Sequence, residues 1–496
     1  MAGSRGAAGG RRNRAGRVGR AGALALAVLA AACGAEPSVG LPRPLPDLSG
    51  RHPVIMIMID TLRADHTSLH GHDRDTTPFL SELAHDSIVF GRAYSTASWT
   101  RPSVASLFTS RLPEAHGCEG RDGNLAPSLT TLPEVFQAAG FTTLGVIANG
   151  NVLGKYGFGQ GFDSYEFHKD FPHNPYADAA KLRAPVQEAL GRVGAGPFFL
   201  YLHYVDPHDP YRHHPEFDFS PGYSGPMDGS REALDPWFAT RPPEPELQRA
   251  RDLYDGEIAW YDARLRELCG RLDQIGLLDE SWLVITSDHG EGLWTHKVQS
   301  HGQEVFEEQI RVPLIVRPPG GLDRHVWIEE PVSQIDLGPT LLELMGLEVP
   351  AGFQGRSWAG YLQGREAAPT RPVIVDEVVD DFELAAIVDG DAKLIVDYRR
   401  RMKWVFDLAT NPAEDLALAA DMNQEFSLEG QRLDALLAAE LAEARRHRPR
   451  DTQGVLEDDP EMLEMLRQMG YLGGGDERRA PDGDDATTND DGGDGR

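Results

Sequence analysis

The chain of 496 residues carries 77 acidic against 48 basic residues, a formal net charge of −29. An excess of that size excludes a partner held by a basic stripe, so no nucleic acid is expected to bind. With 41% hydrophobic and 25% charged residues the composition is that of a globular chain, and its length calls for one large domain with a smaller companion.

Residues 1–32 hold six arginines and no acid, and end in the apolar run ALALAVLAAA before Cys33. A basic start, a short apolar run and small residues before a cut predict a secretory signal peptide. The run is too short to span a bilayer. LAAAC is similar to a bacterial lipoprotein box, which predicts cleavage before Cys33 and lipid on its thiol. The protein is then expected to be exported, periplasmic or at the cell surface, and to meet the membrane only through that anchor. Residues 33–52 are Pro-rich and suit a tether. Cys118 and Cys269 lie far apart and no C-x-x-C occurs, so neither a disulfide framework nor a thiolate zinc site is expected.

From residue 53 the chain alternates apolar runs with helical stretches. PVIMIMID (53–60) predicts a buried parallel strand with an acid at its carboxyl end. FTTLGVIAN (141–149), PFFLYLHYVD (197–206), SWLVITSDHG (281–290) and VPLIVRP (312–318) read the same way, and 246–276 predicts a long helix. This pattern predicts an α/β sheet with helices on both faces over 53–370. In such sheets the site lies at the carboxyl ends of the strands. Asp60, Asn149 and Asp206 end three of these runs and Asp288 closes a fourth. Residues 371–474 predict a small antiparallel sheet with a helix near 426–446, and the Asp/Gly-rich tail 475–496 has almost no apolar residues to fold around.

Asp288 and His289 side by side, with Asp60 from another strand end, offer three ligands for one divalent cation. Thr100, in SWTRPSVASLFTSRLPEAHG (98–117), adds a hydroxyl in front of a helical run. A cation would lower the pKa of that hydroxyl and align it as a nucleophile. The same threonine also reads as a plain helix cap. Pro102 in the first turn costs the helix no hydrogen bond, and the helix start would face an anionic ester.

IMIDTLRADHTSLHGH (57–72), SWTRPSVASLFTSRLPEAHG, FLYLHYVDPHDPY (199–211), ITSDHGEGLW (285–294), HGQEVFEEQIRVPLIV (301–316) and SQIDLGPTLLELMG (333–346) together resemble the sulfatase family of the alkaline phosphatase superfamily, in family order over 53–474. The resemblance implies an alkaline-phosphatase-like large mixed or parallel sheet flanked by helices, with a small C-terminal antiparallel sheet. It implies a metal on Asp60, Asp288 and His289 with Thr100 at the nucleophile position. It sets His208 and His301 against the ester or leaving group and makes Lys297 a candidate cation. Arg101 and Asn149 fall in the substrate-binding stretches. The loop histidines His66, His70 and His72 are assigned to structure. Calcium is the family's usual metal, and manganese or zinc also fits these donors.

The sequence departs from the family at the nucleophile. The family matures Cys or Ser in C/S-x-P-x-R to formylglycine, whereas this chain has Thr100-Arg101-Pro102-Ser103-Val104, and Asn149 stands where the family has lysine. Thr is not expected to mature in that way, and two positive charges are missing. Thr in this position resembles the phosphodiesterase and phosphotransferase branches of the superfamily. Three readings stand: a hydrolase of sulfate or related esters using Thr100, a Thr-based phosphoryl-transfer enzyme, and a catalytically silent metal-binding protein. A silent protein would be free to lose Asp60, Asp288, His289, His208 and His301, which argues for an enzyme. The substrate would be an anionic ester of a sugar, an aryl alcohol or a lipid. Asp206 with His208 is a loose candidate for a second metal.

Overall fold

The computed structural model describes residues 43–451 apart from 121–122, 170–176, 195, 239, 297, 380–381 and 422–426. The expected signal segment, Cys33, Lys297 and the acidic tail lie outside these residues. The strands in chain order are β1 (Val54–Ile59), β2 (Ile88–Phe90), β3 (Ala93–Tyr94), β4 (Thr142–Ile147), β5 (Ser164–Phe167), β6 (Phe198–Tyr204), β7 (Trp282–Ser287), β8 (Arg311–Val312), β9 (Leu314–Arg317), β10 (Val326–Ile328) and β11 (Val332–Ser333). The C-terminal sheet follows with β12 (Val373–Val379), β13 (Phe382–Asp389), β14 (Ala392–Asp397), β15 (Met402–Asp407) and β16 (Ala420–Asp421).

The large sheet has the order β10-β2-β9-β7-β1-β6-β4-β5. β7, β1, β6 and β4 are consecutive and parallel, so their carboxyl ends open on one edge of the sheet. β1 shows why its sequence is apolar throughout. Ile55, Ile57 and Ile59 pack on one face against the long helix Glu244–Gln274, through residues such as Leu253 and Ile258. Val54, Met56 and Met58 pack on the other with Val104, Leu107 and Phe108 of helix Thr100–Thr109. A strand covered on both faces needs no polar alternation.

The run 312–318 differs from expectation. β9 pairs antiparallel with β7 and β2, and β8 joins β3 in a separate three-stranded sheet. Pro313 separates the two short strands, because its missing N–H and fixed φ break a continuous ladder. The sheet is therefore mixed rather than wholly parallel.

The C-terminal sheet is antiparallel in the order β12-β13-β14-β15-β16. Ile374, Ile387, Leu394 and Val396 pack with Leu433, Leu437 and Leu441 of helix Leu428–Arg446. Val373, Val375, Ala386 and Val388 pack with Tyr94, Val305, Phe306 and Ile310. The small sheet is thus seated on the larger unit by apolar burial. Cys118 and Cys269 are both buried as free thiols. Among the described residues no helix is long and apolar enough to cross a membrane.

Candidate active site

The four parallel strand ends deliver the site. Asp60 follows β1, Asp288 follows β7, the His208 loop follows β6 and Asn149 follows β4. Asp60, Asp288 and His289 are fully buried, and one ligand atom from each lies within 4.8 Å of the others. His289 Nε2 is 3.6 Å from Asp60 Oδ1 and 3.5 Å from Asp288 Oδ2. Both of those carboxylate oxygens lack a hydrogen-bond partner. The remaining oxygens are held in place. Asp288 Oδ1 accepts from the backbone N–H of Thr61 at 3.2 Å and of His289 at 2.9 Å. Asp60 Oδ2 accepts from Asn149 Nδ2. His289 Nδ1 sits 2.8 Å from the Gly290 carbonyl, which fixes the tautomer that leaves Nε2 as an acceptor. Burial and the neighbouring Asp288 push the Asp60 carboxyl well above its ordinary range, and burial holds His289 neutral. Two bare carboxylate oxygens and a neutral imidazole, dry and convergent, fit a divalent cation.

Thr100 is the first residue of helix Thr100–Thr109 rather than its cap. Trp99 holds the cap position and makes no side-chain capping bond. The Thr100 Oγ1 instead lies 3.2 Å from His289 Nε2, at the edge of the ligand group. Ser103, one turn on, shares its one hydroxyl proton between the Asp288 carbonyl at 2.5 Å and Gln334 Oε1 at 2.9 Å. The helix start and the β7 end are therefore pinned to each other.

Two further histidines, His301 and His208, adjoin this group. The His301 ring is 4.4 Å from that of His289 and 5.0 Å from that of His208. Trp99 covers His301 from another side at 5.9 Å. His208 Nδ1 lies 2.6 Å from the Asp209 carbonyl and 3.1 Å from its Oδ1. Burial lowers the His208 pKa, but the bond to Asp209 and the charges of Asp60, Asp209 and Glu291 outweigh it and carry it up to about 9. These partners favour the protonated form of His208. His301 Nδ1 lies 3.3 Å from Glu291 Oε1.

Other predicted residues take different places. Arg101 donates to the carbonyls of Asn151 and Gly123 and stacks on Tyr156 at 4.3 Å. Asn149, besides holding Asp60, accepts from the Asn151 N–H at 2.7 Å. Asp206 accepts from the Ala179 N–H at the start of helix Ala179–Arg192, away from the ligand group. His66 and His72 bond Asp255, which also pairs with Arg74, and one ligand atom from each of His66, His72 and Asp255 lies within 4.8 Å of the others.

Two residues escaped the sequence reading. Thr61 is buried, has φ of 55° and carries an Oγ1 without a partner. A β-branched residue in left-handed backbone is strained, and here the strain turns its N–H onto Asp288. Glu291 is fully buried with Oε2 unpartnered, and burial with the Asp209 charge raises it to about 8. Its distance of three residues from Asp288 was the available signal.

The sulfatase family model matches residues 52–347, and the C-terminal model of N-sulphoglucosamine sulphohydrolase matches 300–444. This chain belongs to the sulfatase family. It is 25% identical over 433 residues to an ulvan-active sulfatase of Formosa agariphila, covering 79% of this chain and 81% of that protein. It is 26% identical over 486 residues to the multifunctional alkaline phosphatase superfamily protein PehA of Trinickia caryophylli, covering 75% and 92%. Among solved structures, one in complex with its substrate D-glucosamine-2-N,6-O-disulfate superposes with a TM-score of 0.66 at 19% identity, covering 80% and 99%. The phosphonate monoester hydrolase of Agrobacterium radiobacter superposes with a TM-score of 0.65 at 19% identity, covering 82% and 100%. The fold is that of this superfamily, and the protein is a sulfatase-family ester hydrolase.

Proposed function

We propose that this sulfatase-family enzyme hydrolyses an anionic phosphorus ester, a phosphodiester or phosphonate monoester, with Thr100 as the nucleophile. The observation that carries the reading is the Thr100 hydroxyl 3.2 Å from His289 Nε2, beside two unpartnered carboxylate oxygens. A divalent cation held by Asp60, Asp288 and His289 would supply the positive charge that ionises the hydroxyl and neutralises the ester. Calcium, manganese or zinc suits these donors.

Thr100, its hydroxyl proton released to solvent, attacks phosphorus as its alkoxide, and the bond from phosphorus to the leaving oxygen breaks. His208, in its protonated form, gives its proton to that oxygen. In the second half, water attacks phosphorus, its proton passes to His208, and the Thr100 oxygen leaves. His301, held at Nδ1 by Glu291, faces the same space and donates to the developing negative charge. Arg101 acts at one remove, by fixing the Asn151 segment that follows Asn149.

Phosphorus is favoured over sulfur on local chemistry. Thr has no second oxygen through which a hydrated aldehyde releases sulfate, so release needs a second displacement at the central atom. The family's arginine position holds Val104, which is buried in the apolar core, and its lysine position holds Asn149, whose amide is spent on Asp60. Relatives described as a multifunctional superfamily protein and as a phosphonate monoester hydrolase are in keeping with this. The exported, Cys33-anchored form is part of the proposal, and mass analysis of the mature amino terminus tests it.

The test is an assay of aryl sulfate, phosphate monoester and phosphodiester with calcium, manganese and zinc in turn, beside Thr100→Ala. Phosphoester turnover that needs both the metal and Thr100 supports the reading. Sulfate turnover that survives Thr100→Ala refutes it. Absence of turnover on every ester would move the protein to the silent metal-binding reading.

A further inference from the structure

Three carboxylates outside the active site meet where the C-terminal sheet is seated on the larger unit. Glu114 lies in the short helix Pro113–His116, Glu119 in the loop after it and Asp376 on β12. One oxygen from each lies within 4.8 Å of the others. The Glu114 and Glu119 side chains are only 8% and 10% exposed, and Asp376 is 5% exposed. Arg445 and Arg448, at the end of helix Leu428–Arg446 and just beyond it, cover the outer side. Arg445 pairs with Glu114 Oε1, and Arg448 lies 3.7 Å from Glu114 Oε2 and 2.7 Å from Glu119 Oε2. The arginines thus use both oxygens of Glu114 and one of Glu119. Glu119 Oε1 and Asp376 Oδ2 stay buried with no hydrogen-bond partner. Burial and the charges of Glu119, Glu114 and the neighbouring Glu377 push the Asp376 carboxyl well above its ordinary range, so without a cation it holds a proton, with two bare oxygens in a dry seam. Carboxylates do not stay ionised in such a place without a counter-charge.

We propose that Glu114, Glu119 and Asp376 hold a structural divalent cation of the calcium class, which ties the C-terminal sheet to the catalytic unit. The donors are all oxygens, with no imidazole or thiolate among them, which is the preference of a hard cation. Calcium tolerates an irregular shell completed by water, and the exposed ends of Arg445 and Arg448 mark the side from which it would enter. The site shares no residue with the Asp60, Asp288 and His289 group, so it does not depend on the proposed reaction.

The test counts calcium retained per full-length chain after gel filtration in calcium buffer. The double variant Asp60→Asn/Asp288→Asn, which lacks the catalytic ligand pair, should keep one calcium. Adding Asp376→Asn should reduce this to none, and calcium should raise the melting temperature of the double variant but not of the triple. If the double variant does not fold, Asp376→Asn alone should lose one equivalent relative to wild type. A double variant that keeps no calcium, or a triple variant that still keeps one, overturns the proposal. The first of these outcomes would assign the seam to carboxyl groups sharing a proton.

Discussion

Thr100 and Arg101 are adjacent in sequence and separate in space. Successive residues of a helix point about 100° apart. The Thr100 hydroxyl therefore meets His289, while the Arg101 guanidinium meets the Asn151 and Gly123 carbonyls. Thr100→Ala is expected to lower kcat by at least about a thousandfold, with Thr100→Ser retaining measurable turnover; equal activity in Ala and wild type would contradict the assignment. His208→Gln should cost roughly a hundred- to ten-thousandfold. The loss should be larger for a poor leaving group than for an aryl leaving group, because the proton matters most when the departing oxygen is basic. A uniform loss across leaving groups would assign His208 to substrate binding alone. That Asp60, Asp288 and His289 come together was legible because Asp60 and the Asp288-His289 pair each close a strand-like run. Thr61 was not, since nothing in a lone Thr reveals burial without a partner, and Glu291 offered only its place three residues after Asp288.

At the scale of elements, helix Thr100–Thr109 is buried along its whole length and is fastened to β7 through Ser103. Removing that hydroxyl leaves the Asp288 carbonyl and the Gln334 amide short of a partner. Ser103→Ala should destabilise by about 1–3 kcal/mol and weaken metal affinity about ten- to a hundredfold. Denaturant melts and metal titration check this, and unchanged affinity would limit Ser103 to structure. The strand runs were legible because two-sided burial writes itself as continuous apolar sequence. The direction of β9 was not, because an apolar run of four residues reads the same in either sense. Its antiparallel pairing comes from contacts with β7 and β2 that no local signal encodes.

For the molecule as a whole, the seam between the large sheet and the C-terminal sheet concentrates buried ionisable groups. His116 lies at its catalytic side. Its Nδ1 accepts from the Cys118 N–H at 3.0 Å, so Nε2 carries the proton and donates to Ser106 Oγ at 3.0 Å. Burial pushes His116 down to about 3. An unfolded histidine titrates near 6.5, so below that pH the unfolded chain takes up a proton that the folded chain refuses. The His116 contribution is complete above about pH 6.5 and is lost as pH falls toward 3, on the order of 1.4 kcal/mol per pH unit. Melts between pH 7 and 4.5 should show a slope shallower by about one proton in His116→Gln, and identical slopes would contradict this. The small C-terminal antiparallel sheet was legible from the change of texture near residue 370. The carboxylates that cross the seam were not, because they are brought together only by the docking of β12 on the segment after the Thr100 helix.

In the proposed reaction Thr100 forms a bond to the phosphorus of the substrate. The most direct measurement is acid quenching of the metal-loaded enzyme within the first turnovers on an aryl phosphodiester, followed by peptide mass analysis. A phosphoryl ester is expected on the peptide that contains Thr100, absent from Thr100→Ala, which also lacks turnover. An adduct on another residue, or turnover by Thr100→Ala with no adduct at position 100, would contradict it.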